Sequence, residues 1–402
     1  MEHTIRKWVY FFFLLVQISA RPFQSTPDKL NLIANVSYLF EKNIEISGRI
    51  TPNIPIQDAN LILETSPSAN IKIPLNLDAQ QNFSQLIDLA TNPIIPFSLV
   101  KYYIEVQLQD GSLHRTQPLE FRYLDNRSIW QSTAYDIFII HWQTNTDPPQ
   151  NLLIPILQQS TEKIQTLYPA FNLDKTDIFL YNSTGELRQA MPTNQVDWMA
   201  AHAEPAVHVI LLANTNAADD AIQLRRQIPH ELMHLYLWQL SAGNYSNIPL
   251  WLNEGLATLV ELSPNPEYSS ILEDAAKNRS LLSFKDLCTS FPQDSGKVVL
   301  AYAQSGSFVQ FLSQTYGLPK LTSLVAAYQN QTDCLTPVFT TYGLSLDELT
   351  QKWLQQKFNI VSVQYAFSNL APWLALGLLV LIIPFLLSLF SPQHQSHNQE
   401  EK

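Results

Sequence analysis

The chain has 402 residues, enough for two or three domains and a sizeable core. Charged residues make up 15%, below the usual share of about 25%, so Asn, Gln, Ser and Thr must carry the polar surface. A net charge of −11 with no basic cluster argues against a nucleic-acid partner, and ten glycines are too few for collagen-like or Gly-rich linker architectures.

Residues 1–20 read as a secretory signal peptide. Arg6 and Lys7 supply the positive start, Trp8 to Val16 the apolar run, and Ser19-Ala20 the small residues before cleavage. The run is too short to span a bilayer, which favours cleavage over anchoring. Residues 21–30 read as a short disordered leader. From 31 to 124 the pattern is strand-like. Val36–Phe40, Ile44–Ile46, Leu61–Leu63, Ile71–Ile73, Tyr102–Val106 and Leu119–Tyr123 are short β-branched or aromatic runs, several with period two. Thr51-Pro52-Asn53, Ser66-Pro67-Ser68 and Asp110-Gly111 supply turns between them. This spacing predicts an immunoglobulin-like β-sandwich, with nothing catalytic in it.

Asp125–Ser128 marks a boundary, and residues 130–360 form the next predicted domain. Tyr135–Trp142, Ile178–Tyr181 and Val207–Leu212 read as strands and Ile154–Tyr168 as a helix. Beyond Leu212 the pattern is mostly helical, and Leu346–Trp353 reads as the helix that closes the domain. Residues 370–390 form an apolar stretch of about 20 residues without a charge, which predicts one C-terminal transmembrane helix in a lipid bilayer. Trp373 suits the headgroup level, and Pro384 is tolerable in such a helix. A polar tail, 391–402, follows. The expected product is a single-pass cell-membrane protein with its bulk on the extracytoplasmic side. Asn-X-Ser/Thr sequons occur at Asn35, Asn82, Asn126, Asn182, Asn244, Asn278 and Asn330, but in a chain this rich in Asn and Ser chance accounts for many, and no glycosylation is predicted. Cys288 and Cys334 fall in the exported part, which favours a disulfide over two free thiols.

His230-Glu231-Leu232-Met233-His234 is an H-E-x-x-H sequence. On a helix, residues four apart share a face, so both imidazoles reach one metal and Glu231 lies near a water bound there. Pro229 either opens this helix or kinks a longer one. A catalytic zinc usually takes three protein ligands, so a third donor is required. Trp251-Leu252-Asn253-Glu254-Gly255-Leu256-Ala257 follows, with Glu254 20 residues after His234 and Glu261 beyond.

HELMH followed by WLNEGLA resembles the gluzincin metallopeptidases of the peptidase MA-like group, which include thermolysin and the puromycin-sensitive-type zinc aminopeptidases. The resemblance covers roughly 130 to 355. It extends to an upstream strand at Ala203–Ile210 and a downstream segment at Ala301–Phe308. It implies a thermolysin-like mixed sheet with a helical catalytic part, hence an α+β multidomain chain. It implies Zn2+ held by His230, His234 and Glu254, with Glu231 as general base and a peptide or protein as substrate. Asn253 becomes a neighbour of the metal helix rather than a ligand. Tyr302 is the expected oxyanion donor, against the alternative of a tyrosine packed in the core; Tyr316 and Tyr328 are lesser candidates.

Two departures matter. The G-A-M-E-N strand with which zinc aminopeptidases hold the substrate amine is missing, although Glu204 lies near the corresponding place. The Asp that thermolysin-like enzymes carry four residues after the Glu ligand is here Thr258, which leaves the groups orienting the ligands unassigned. His141, His202 and His208 read as structural or surface residues. The expected function is a membrane-anchored zinc endopeptidase. Its rivals are a non-catalytic surface binding protein on the same fold and a zinc aminopeptidase. The sequence sets no oligomeric state.

Overall fold

Alternating apolar and polar residues build the first part of the chain into antiparallel strands. The computed structural model describes residues 30–51, 55–65, 70–144, 149–169, 172–191, 200–213, 220–360, 373–380 and 382–383. It divides into two units, the first taking the residues up to Ile129 together with Ala190 and Met191, the second opening at Trp130. The expected signal peptide and polar tail lie outside the described residues, as does part of the expected membrane segment. Of that segment, 373–380 and 382–383 are helical and exposed. Among the described residues no helix is long and apolar enough to cross a membrane.

The first unit holds eight strands: β1 (Asn31–Leu39), β2 (Asn43–Thr51), β3 (Ile56–Glu64), β4 (Ile71–Pro74), β5 (Asn82–Asp88), β6 (Leu99–Leu108), β7 (Leu113–Arg115) and β8 (Leu119–Arg122). They form two antiparallel sheets, β1-β2-β5 and β4-β3-β6-β7, with β8 also paired to β6. Strand β5 escaped the sequence reading because only Phe83 and Ile87 of its apolar residues turn inward, while Leu86 is exposed. Just after β8, the Tyr123 hydroxyl accepts the Glu41 N–H at 2.6 Å, and its ring stacks on Phe40.

The second unit opens with β9 (Trp130–Tyr135) and β10 (Phe138–Gln143). Its sheet is completed by β11 (Thr176–Tyr181), β12 (Ala201–Glu204) and β13 (Val209–Ala213), in the order β12-β13-β11-β10-β9. The inner three are parallel and the two edge strands antiparallel. Helix α1 (Gln150–Gln165) and the short α2 (Thr184–Arg188) connect strands. After the sheet come α3 (Asp220–Leu240), α4 (Leu250–Leu259), α5 (Glu267–Lys277), α6 (Ser295–Tyr316), α7 (Leu318–Tyr328), α8 (Thr336–Tyr342) and α9 (Leu346–Phe358). Ile140, Ile178, Ile210, Leu224, Ile228 and Leu232 belong to one core in which sheet and helices are packed together. Cys288 and Cys334 are bonded, with their Cα atoms 6.1 Å apart.

Three boundaries differ from the sequence reading. Tyr135–Trp142 is not one strand, because Asp136 takes a left-handed φ of 50° and turns β9 back into β10. Ala203–Ile210 and Val207–Leu212 likewise do not run as continuous strands. Pro205, which has no N–H to give a sheet, opens a turn over Pro205–Val207. His208 then adopts a left-handed φ of 55°, so β12 folds back on β13 and becomes a sheet edge. Helix α1 starts four residues earlier than Ile154, with Pro155 accommodated inside it.

Helices α4 and α6 approach closely because each offers a glycine. A Cβ on Gly255 would stand 2.7 Å from the Ser305 carbonyl oxygen and 2.5 Å from Val309 Cγ2. A Cβ on Gly306 would stand 2.5 Å from Thr258 Cγ2. Alanine favours a helix over glycine by roughly 1 kcal/mol, so a loss on substitution isolates the packing term. Gly255→Ala should lower stability by about 1–3 kcal/mol, read as a reduced urea midpoint at unchanged slope. An unmoved or raised midpoint would show that the helices are not held at this distance.

Candidate metal centre

The site begins with a proline inside a helix. Pro229 lies within α3, and having no N–H it cannot bond the Arg225 carbonyl one turn back. That carbonyl accepts instead from the Leu262 N–H at 3.0 Å. Arg226 Nε donates to the next carbonyl along, Ser263 O, at 3.2 Å. The segment after α4 is thus stitched to α3 one turn before His230. Its backbone is further held by Lys163 Nζ, which donates to Glu261 O at 2.6 Å. Glu261 is buried, and its Oε1 lies 3.2 Å from His230 Nδ1.

His230 and His234 sit on one face of α3, and α4 presents Glu254 to them. His230 Nε2 is 3.2 Å and His234 Nε2 3.6 Å from Glu254 Oε2. Three ligand atoms, one from each residue, lie within 4.8 Å of one another. Zinc–ligand bonds of about 2.0–2.1 Å give tetrahedral edges of about 3.3–3.4 Å, so these two separations to Glu254 bracket what such an ion requires. Each imidazole is oriented through its far nitrogen. His230 Nδ1 donates to Glu261, and His234 Nδ1 donates to Asn253 Oδ1 at 2.9 Å. Asn253 Nδ2 in turn donates to the Tyr245 hydroxyl at 2.8 Å. Both Nε2 atoms are left as the pair that faces Glu254, the arrangement a divalent cation needs.

Charge at the site follows from this crowding. Burial works to lower the pKa of His230, but its hydrogen bonds to Glu254 and Glu261 and the Glu254 and Glu231 charges together outweigh burial and raise it to about 10. Burial raises the Glu254 carboxyl, and the two histidines more than reverse this and hold it low. A cation entering among these groups exchanges with a proton on His230.

Glu231, His202 and Glu204 line the same cavity, which encloses about 670 Å3. Glu204 and His202 belong to edge strand β12, with His202 Nε2 3.8 Å from Glu204 Oε2. Burial works to lower His202, and the Glu204 and Glu231 carboxylates raise it on balance. Tyr302, on α6, also lines the cavity, with its ring centre 6.0 Å from that of His230 and 5.3 Å from that of Phe291. Burial, reinforced by the Glu254 and Glu231 charges, pushes its hydroxyl well above the ordinary value, so it stays a donor. Tyr328 is buried elsewhere and donates to Cys334 O at 2.7 Å, and Tyr316 packs on Phe311 and Tyr342. His141 is stacked on Phe179 with its Nε2 2.6 Å from Asp177 Oδ1, away from the cavity lining.

The residues that orient the ligands are the ones sequence reasoning left open. Thr258 cannot serve, because it packs against Gly306 of α6. Glu261, seven residues after Glu254, takes that place on His230. The available signal was two helical turns of spacing plus the proline before His230.

The sequence model of the peptidase MA superfamily matches residues 157–359, half of the chain, and the chain belongs to that superfamily. At this level it is a peptidase. No curated protein matches the sequence. Among solved structures, an aminopeptidase N family protein from Idiomarina loihiensis is similar at 9% identity with a TM-score of 0.32, over 84% of this chain and 75% of that one. A carbohydrate-binding module family 56 β-1,3-glucan binding domain is similar at 13% identity with a TM-score of 0.17, over 23% of this chain and 99% of that one. These scores are too low to carry an argument about fold or activity.

If Asn253 fixes the His234 ring, Asn253→Ala should weaken zinc binding about 10- to 100-fold, measured by competition with a calibrated chelator. Undiminished affinity would remove Asn253 from the site's supporting groups.

Proposed function

We propose that this chain is a zinc metallopeptidase of gluzincin type that hydrolyses internal peptide bonds. The observation that carries the reading is the convergence of His230, His234 and Glu254 in the cavity that Glu231 also lines. Zinc, when bound, supplies a Lewis acid for the scissile carbonyl and lowers the pKa of a water. Glu231 takes a proton from the attacking water as its oxygen bonds the carbonyl carbon. Glu231 then gives that proton to the leaving nitrogen as the C–N bond breaks, so the base is regenerated. Tyr302 donates to the oxyanion of the tetrahedral species. Among the described residues, edge strand β12 has sheet hydrogen bonds on one side only, and it forms part of the cavity wall, which supports binding of the substrate as an added extended strand.

The same reading includes a cleaved signal peptide at 1–20, an immunoglobulin-like first domain, and a membrane anchor at 370–390 that holds the catalytic part outside the cytoplasm. The charge-free apolar run and the exposed Trp373, Leu374, Leu376, Leu378 and Leu379 support the anchor. A second reading, an aminopeptidase, is supported by Glu204, an acid on β12 that could hold a substrate amine.

The test is to incubate the zinc-loaded full chain with a diverse peptide mixture and map the cut bonds by mass spectrometry. Internal cuts, slowed about 10²- to 10⁴-fold in Glu231→Gln, are expected. Loss of N-terminal residues alone would select the aminopeptidase, and no cleavage by folded, zinc-loaded protein would select a binding protein on this fold. Tyr302→Phe should lower kcat about 10²- to 10³-fold with KM little changed, and an unaltered kcat would assign Tyr302 to packing.

A further inference from the structure

The cavity wall also holds a guanidinium that the hydrolytic reading does not use. Arg226 lies one helical turn before His230, so one face of α3 carries the guanidinium and both imidazoles. Its side chain is 18% exposed and lines the cavity. Nε donates to Ser263 O, and Nη1 donates to Gln223 Oε1 at 3.3 Å. The Glu261 carboxylate stays 4.0 Å from Nε and gives its other oxygen to His230. Among the described residues no acceptor meets Nη2 or the second Nη1 hydrogen. Those donors form the open end of a planar fork, which matches a carboxylate.

Neutral donors line the same cavity. Asn265 lines the cavity, and its Oδ1 accepts the Glu267 N–H at 3.0 Å, which leaves Nδ2 without an acceptor among the described residues. Tyr268 also lines it, close enough to Glu261 and Arg226 for their charges to act on its hydroxyl. Four residues of helix rise about 6 Å, and one residue of extended peptide spans about 3.3 Å, so a group bound at Arg226 lies within about two residues of the reacting bond.

We propose that Arg226, with Asn265 and Tyr268 of the same cavity wall, forms a carboxylate-binding subsite. It selects peptides that carry a C-terminal carboxylate or an acidic side chain within two residues of the scissile bond. The choice of peptide as ligand rests on the peptidase reading. The competing role for Arg226 is only to hold Ser263 and Glu261 in place.

Binding separates these without turnover. Zinc-loaded full chain carrying Glu231→Gln is titrated with fluorescent peptide pairs, followed by anisotropy. One set of pairs exchanges Glu for Gln at each position within two residues of the cleaved bond, and the other exchanges a free C-terminal acid for its amide. The carboxylate member of one pair should bind about 10- to 100-fold more tightly, and the pair that responds identifies the source of the carboxylate. Arg226→Gln should abolish the difference, and Arg226→Lys, which keeps the charge but loses the fork, should keep part of it. Asn265→Asp retains the acceptor for the Glu267 N–H and sets a repelling charge in the cavity, so it should shrink the difference even where Arg226→Gln fails to fold. Equal affinities within every pair, or a preference that survives both Arg226→Gln and Asn265→Asp, would overturn the subsite. Wild-type cleavage is followed in parallel. Cleavage with no carboxylate preference sinks the subsite and leaves the peptidase, whereas carboxylate-selective binding with no cleavage sinks the peptidase and leaves the subsite.

Discussion

The site depends on a hydrogen bond that a helix could not make for itself. Pro229 withholds the N–H that would have closed the turn on the Arg225 carbonyl, and the Leu262 N–H takes that carbonyl instead. A buried backbone acceptor left alone costs about 1–3 kcal/mol, so the vacancy recruits a donor from another segment. The donor it recruits is next to Glu261. The helix defect beside His230 therefore fixes the carboxylate that orients His230. A proline placed elsewhere on α3 would free a different carbonyl and bring no acid to the ring.

The second support comes from the other side of α4. Gly255 and Gly306 let α4 and α6 touch at backbone distance, and the helix that carries Glu254 thereby gains a rigid back wall. Thr258 is consumed by that contact. The position one turn after the Glu ligand cannot then carry an orienting acid, and the work passes to Glu261 one turn further on. Sequence spacing and helix packing are coupled here, because the close glycine contact relocates a polar role by three residues.

This coupling explains what could be read from the chain and what could not. HELMH placed two imidazoles on one face by helical periodicity alone, and NEG brought a carboxylate on a second helix. Those relations are short-range or carried by a recurring motif. The roles of Asn253, Glu261 and Arg226 depend on where α4 and the segment after it return to α3, which no local pattern encodes. The edge strand shows the same limit. Ala203–Ile210 has the apolar content of a strand, yet the turn at Pro205 and the left-handed His208 split it into β12 and β13. Only the split makes β12 an edge beside the site. In the first unit, β5 was hidden because two of its seven residues are buried, too few for an alternation to stand out.

The charge inventory gives these pieces a common logic. Glu204, Glu231, Glu254 and Glu261 face or flank one cavity, with Arg226 as the fixed cation among them. Carboxylates gathered out of water are costly unless paired. In the protein alone, the pairing falls to a proton on His230, which is why that imidazole is raised to about 10 despite its burial. Its folded pKa exceeds the ordinary 6.5, so this stabilisation is complete below about 6.5 and is lost as pH rises through about 10. A divalent cation answers the same need with twice the charge, and it enters in exchange for that proton. Arg226 stays outside this exchange, since its guanidinium remains charged throughout the range. The cavity therefore combines an acidic floor suited to a metal with one permanent cation at its margin, so a bound carboxylate and a bound metal would meet opposite charges in adjacent places.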